Sequence, residues 1–183
     1  MNKLSYVKKA IITAACIALC VVLPTAFHAI PNGGSIFSPM HIPVLLCGMI
    51  CGWPMGLLCG IAGPILSSLI TQMPPLAYLP SMLVELAVYG LICGLAMKYI
   101  RTGNLSADIY LNLVIGMLTG RVIAGICRAL IFSAGSYSMS MWISSYFVTA
   151  WPAILLHLIL VPAIVVALEK ARLIPARYPK KGR

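Results

Sequence analysis

Apolar residues occupy this chain in long unbroken blocks, separated by short breaks rich in proline, glycine and serine. A helix crossing a hydrocarbon core about 30 Å thick needs roughly 20 such residues. The first block spans 9–27. A second, 42–53, is too short to cross upright, and Pro54 ends or bends it. The third, 55–71, is also short and contains Pro64, and Met73-Pro74-Pro75 then breaks the helix. The fourth covers 79–99, closed by Lys98 and Arg101; the fifth covers 107–132 and the sixth 141–168. Between the first two blocks, Pro31-Asn32-Gly33-Gly34-Ser35 carries turn chemistry. The pattern predicts an all-α integral membrane protein, a six-transmembrane-helix bundle folded as one domain over 1–183. Residues 1–8 and 170–183 are its tails, and the chain beyond Glu169 is expected to be partly disordered. Lys8-Lys9 ahead of an apolar run is also how a secretory leader starts. The chain that follows stays as hydrophobic as the first block, which therefore reads as a membrane helix.

Composition agrees. Of 183 residues, 61% are hydrophobic and 9% charged, where a soluble domain carries about 25% charged. A small core cannot cover that much apolar surface in water. The formal net charge of +10 is explained by position: eleven of the thirteen basic residues flank apolar blocks, and only Arg121 and Arg128 lie inside one. No basic stripe interleaved with aromatics exists, so nucleic acid is not a partner. With a cytoplasmic amino terminus, six crossings put the Lys98–Arg101 turn and the carboxy-terminal tail on the cytoplasmic side as well. The outside loops, 28–40, 72–78 and 133–140, then hold no Lys or Arg, as the positive-inside rule requires. Seven crossings would place one basic cluster outside. Both termini are thus expected in the cytoplasm of a prokaryotic cell whose plasma membrane the chain spans.

Small residues recur at helical spacing. Gly48, Gly52, Gly56 and Gly60 follow each other every four residues, and Gly90/Gly94 and Gly116/Gly120 repeat the interval. On one helix face, such glycines let two backbones approach closely, so packing within the fold is the expected use. Ala10, Ala14 and Ala18 form a similar stripe on the first block; it packs internally or offers a smooth face to a partner helix. The seven cysteines all lie in apolar runs without a Cys-x-x-Cys pair and read as small core residues rather than a disulfide framework or a metal site.

Glu85, Arg121, Arg128 and His157 are the strongly polar side chains at membrane depth. Ionisable groups there are expensive and mark a candidate site. Counted from the block ends, Glu85 and Arg128 fall in the outer third of the bilayer, Arg121 and His157 near its middle. Arg121 and Arg128 are seven residues apart, two turns, and share a helix face. A Glu85–Arg128 ion pair stapling two helices is one reading. It leaves one arginine without an acidic partner, and that charge would suit a carboxylate or phosphate entering from outside. Asn32, Tyr78, Tyr137 and Trp142 lie on or beside the outside loops, where they would cover the apolar part of such a ligand. No Walker loop, paired carboxylates or Ser-His-Asp spacing supports catalysis, and no cofactor is implied.

The stretch His41-Ile42-Pro43-Val44-Leu45-Leu46-Cys47-Gly48, followed by Gly52-Trp53-Pro54-Met55-Gly56, carries a family resemblance. It continues through Pro64-Ile65-Leu66-Ser67-Ser68, Met73-Pro74-Pro75 and Glu85-Leu86-Ala87-Val88-Tyr89-Gly90. In this order the chain resembles the S components of energy-coupling-factor (ECF) vitamin transporters over most of its length. The resemblance implies a subunit that binds a vitamin or related micronutrient in a pocket open to the outside. It then docks on a transmembrane T component and two cytoplasmic ATPases, and topples to release its ligand inside. It also implies that Ala10, Ala14 and Ala18, matching the family's Ala-x-x-x-Ala motif, contact the T component. Loops 28–40 and 72–78 become gates over the pocket.

Substrates vary widely within such a family. The His-Ile-Pro-Val and Glu-Leu-Ala-x-Tyr-Gly stretches resemble pantothenate-type members, with cobalamin, riboflavin, folate or a queuosine precursor as alternatives. Two other classes stand beside this reading. A self-sufficient secondary transporter or channel would favour internal repeats, and none is convincing. A membrane enzyme or assembly factor would favour an intramembrane His/Asp/Glu cluster.

Overall fold

The computed structural model describes residues 4–27, 30–31, 33–133 and 135–178. Among them the chain is helical and forms no strand. Helix α1 (Tyr6–Ala26) starts where the Ser5 hydroxyl accepts the Lys8 N–H, satisfying an amide left over at the first turn. A short α2 (Gly33–Phe37) leads into α3 (His41–Cys51), and α4 (Trp53–Thr71) and α5 (Leu79–Tyr99) follow. Asn104 caps α6 (Leu105–Cys127), which runs on as a wider π-helical turn over Arg128–Phe132. After a bend, α7 (Met139–Ile143) passes into a second π-helical segment, Ser144–Thr149, and α8 (Trp151–Lys170) closes the fold. Six apolar stretches have the length to cross a membrane: α1, Gly33–Cys51, α4, α5, Leu105–Phe132 and α8.

Two local breaks differ from the expected ones, each for a physical reason. The α3–α4 break falls on Gly52, whose φ of 91° lies in the region that favours glycine. Pro54 instead occupies the first turn of α4, where its missing N–H is harmless. Gly52 still belongs to the close-packed series, because a Cβ on Gly94 would strike its carbonyl carbon and the Trp53 backbone. The block 141–168 is not one helix: it is interrupted at Ala150, because Pro152 cannot continue the helix before it and starts α8 instead. Hydropathy does not fall there, so the apolar pattern runs straight across the break.

Beyond Glu169 the described residues, as far as Tyr178, pack back against the end of the bundle, and the rest of the tail lies outside the described residues. Arg177 reaches the carbonyl oxygens of Met97 (2.8 Å) and Ile100 at the end of α5, and its Nε meets Asp108 Oδ2. The Tyr178 hydroxyl donates to the same Asp108 oxygen at 2.6 Å, while Thr102 supplies its N–H and hydroxyl to Oδ1 at 2.8 and 2.7 Å. A helix end leaves carbonyls without partners; here a tail arginine takes them. Asp108, fully buried, is the anchor that sequence reading passed over.

At the centre stands α3, nearly all of whose side chains are buried. It packs on α1, α4, α5 and α8, and α5 also runs against α4 and α6. The glycine series explains the tight fit. A Cβ on Gly90 would collide with the Gly56 backbone, and one on Gly60 with the Leu86 backbone. Backbones at that range maximise van der Waals contact where lipid removes the hydrophobic drive between helices. Thiols fill the gaps between α1, α3 and α4, the Cys47 Sγ lying 3.5 Å from Thr13 Oγ1 and 3.4 Å from Met55 O. Leu69, Ile70, Leu130, Val148 and Ile159 lie exposed, as lipid-facing residues must.

Candidate functional site

A cavity of about 640 Å³ opens at one end of the bundle. Its walls come from the end of α1, α2, the start of α3, the α4–α5 connection, the start of α5, the end of α6 and the segment Ser144–Thr149. Chain direction puts Lys8, Lys9, Lys98, Arg101, Lys170 and Arg177 at the opposite end.

The cavity has two levels. Tyr78 caps the start of α5 and is 54% exposed, and Glu85 lies seven residues further in, about 10 Å at 1.5 Å per residue. Arg128 and Arg121 are spaced in the same way on α6 and its continuation. At the outer level the Arg128 guanidinium sits over the rings of Tyr78 (5.6 Å) and Tyr137 (5.3 Å), a cation–π arrangement. A π-helical turn widens the helix where this arginine leaves it.

The inner level is a hydrogen-bonded chain of fixed polarity. Arg121 Nε donates to the Tyr89 hydroxyl (3.1 Å), which passes its own proton to Glu85 Oε1 (2.8 Å). His41 Nε2 lies 3.5 Å from the same carboxylate oxygen. Arg121 Nη1 donates to the Tyr146 carbonyl at 2.6 Å. Gly120 makes the arrangement possible, because any Cβ there would strike the Tyr89 ring. Behind His41 the ring of His157 stacks at 5.6 Å and faces the Ser38 carbonyl with Nε2 at 3.3 Å.

The expected Glu85–Arg128 ion pair is not formed. Glu85 pairs with His41, and among the described residues no carboxylate lies within 4.0 Å of either Arg121 or Arg128. The geometry explains this: Glu85 stands on the level of Arg121, one tier below Arg128.

Of the residues singled out from sequence, Glu85, Arg121, Arg128 and Tyr78 line the cavity together. Tyr137 lies beneath Arg128, and His157 supports His41 from behind. Trp142 has a packing position: it lies against Gly125, and its Nε1 donates to the Arg121 carbonyl at 3.1 Å. Asn32 and parts of loops 28–40 and 133–140 lie outside the described residues. His41, Tyr89, Ser81 and Tyr146 were not picked out as site residues. Tyr89 had a readable signal, since it follows Glu85 by four residues on one helix face. Ala10, Ala14 and Ala18 face outward, while Thr13, Cys16 and Cys20 turn to the core. Internal packing of the alanine stripe is therefore ruled out.

The fold is a multi-pass membrane bundle whose cavity at one end combines apolar side chains with Arg121, Arg128 and Glu85, the frame expected of a membrane protein that holds a small solute. The chain belongs to the family described as ECF transporter, substrate-specific component, whose model matches residues 8–168. It is thus a substrate-binding transport subunit and not an enzyme, one that works in the membrane with a T component and ATPases. No curated protein matches the chain.

Proposed function

We propose that this subunit captures an anionic vitamin-type micronutrient, pantothenate being the first candidate, from outside a prokaryotic cell. The observation that carries this reading is Arg128: a guanidinium over the cavity, held by two aromatic rings and matched by no carboxylate of the described residues. A buried or half-buried cation is stabilised by an anionic ligand, and guanidinium fits a carboxylate bidentately. Arg121 is the lesser contact, because two of its nitrogens already serve Tyr89 and Tyr146. The cavity lies at the end away from the basic residues that flank the membrane spans, which supports an outward opening and cytoplasmic termini. The exposed alanine stripe on α1 supports docking of that face on the T component, with loops 28–40 and 72–78 gating the cavity.

A thermal-shift screen of the purified subunit against water-soluble vitamins tests the proposal. A bound compound at 100 times its Kd adds about 2.7 kcal/mol of stability. Carboxylate-bearing vitamins should give the shift. A shift with cationic thiamin alone would overturn it.

A further inference from the structure

We infer that residues 139–149 form a side gate of the cavity, latched shut by Trp142 and Arg121. The inference rests on the reading of this cavity as the substrate site and adds a moving wall to loops 28–40 and 72–78. Two breaks bound the segment. Before it the chain bends, with Gly135 at a φ of 78°; after it the helix stops at Ala150. Between them lie only the short α7 and the π-helical Ser144–Thr149, outside the six long membrane spans. Irregular backbone within a membrane is tolerated where it borders a cavity. Ser145, Tyr146 and Thr149 border this one.

The segment is held at few points. From Met139 to Thr149 only Tyr146 is buried, with Trp142 and Phe147 half-buried. Among the described residues, its polar and ring contacts with the bundle all end on α6 or the π-helical turn that continues it. Trp142 Nε1 donates to the Arg121 carbonyl at 3.1 Å, and its indole covers Gly125, where a Cβ would strike it. In return Arg121 Nη1 donates to the Tyr146 carbonyl at 2.6 Å, and its guanidinium faces the Phe147 ring at 5.6 Å. The Tyr146 side chain reaches Arg128. Arg121 thus grips the segment through both backbone and side chain. Its Nε meanwhile holds Tyr89 and, through it, Glu85, which ties the latch to the inner level of the cavity. A segment flanked by breaks and secured by few contacts opens locally at lower cost than the helices it leans on. Losing one latch contact therefore frees it, and the cavity widens between α6 and α8.

Hydrogen–deuterium exchange on the purified subunit tests the latch. In wild type the amides of 139–149 should exchange faster than those of α3 and α5. Trp142→Ala should accelerate the segment about tenfold to a hundredfold, while α3 and α5 keep their wild-type rates. Trp142→Phe keeps a ring over Gly125 but lacks the N–H, so it should fall between the two; it carries the comparison if the alanine variant does not fold. Gating is read with Ser81→Cys in a cysteine-free background, because Ser81 lines the cavity and is 8% exposed. Its modification by a charged, water-soluble thiol reagent should speed up about tenfold when Trp142→Ala is added. A wild-type segment that exchanges as slowly as α3, no acceleration in the variants, or acceleration shared equally by α3 and α5 overturns the latch. An unchanged modification rate overturns the gate. Neither readout uses a vitamin, so failure of the gate and failure of the substrate reading in the vitamin screen are told apart.

Discussion

Arg177 and Asp108 meet across 69 residues of sequence, closing the carboxy-terminal tail over the turn between α5 and α6. The contact satisfies a fully buried carboxylate and two carbonyls at the end of α5 at once. Removing one partner of a buried pair leaves the other charge uncompensated, at a cost of about 3–5 kcal/mol. Arg177→Ala should therefore lower the unfolding midpoint in detergent clearly. Lys170→Ala, an exposed change seven residues earlier, should stay within about 0.5 kcal/mol. Equal midpoints for the two variants would remove the tail from the account of stability.

Close backbone contact between α4 and α5 gives the second prediction. Gly56→Val forces a branched side chain into the Gly90 backbone. Overpacking at a rigid site costs about 1–3 kcal/mol or more, so the variant should melt lower or fail to assemble. Gly34→Ala, which meets open space, is the control. Tolerance of valine at position 56 would mean that the two helices separate easily.

Topology can be read with single cysteines placed in a cysteine-free background. A cysteine at Lys98 should resist membrane-impermeant thiol reagents in intact cells, and one at Tyr78 should react. The expectation follows from the one-sided distribution of basic residues. Labelling of the Lys98 site from outside would reverse the orientation and turn the cavity inward.

Much of this fold was legible, and what was not has specific causes. Blocks of apolar residues located the membrane spans because lipid demands length and continuity. The same uniformity hid the break at Ala150, where composition does not change. The charged residues at depth pointed to the cavity, yet their pairing was misread: helix spacing placed Glu85 and Arg128 at similar depth, while the fold puts Glu85 beside Arg121 through Tyr89. His41 was invisible as a site residue because only the packing of α3 against α5 and α8 brings it to Glu85 and His157. Asp108 was passed over, because its partner Arg177 lies too far along the chain for any spacing rule to reach.

The alanine stripe leads to a functional prediction. Ala10, Ala14 and Ala18 face outward, so a large side chain there disturbs nothing inside the subunit. Ala14→Trp should preserve the thermal shift with the bound vitamin. Uptake by the complete transporter should nevertheless fall, because a bulky residue holds two helices apart where alanine allows contact. Normal transport by the variant would move the docking face elsewhere on the subunit.

Arg128 carries the sharpest expectation of all. Its guanidinium is held by the faces of Tyr78 and Tyr137, which orient it without neutralising it. An anionic ligand would supply the missing counter-charge, and losing a buried hydrogen-bonded charge pair costs about 2–5 kcal/mol. Arg128→Ala should thus weaken binding by roughly 30-fold or more, measured by calorimetry with the vitamin that the screen selects. Arg128→Lys should recover only part, since an ammonium lacks the planar fork. Arg121→Ala bears a different signature: it unties Tyr89 and Tyr146, so it should lower the melting temperature of the empty protein as well as affinity. If both variants bind as wild type does, neither arginine touches the ligand, and the charge of the cavity has another purpose.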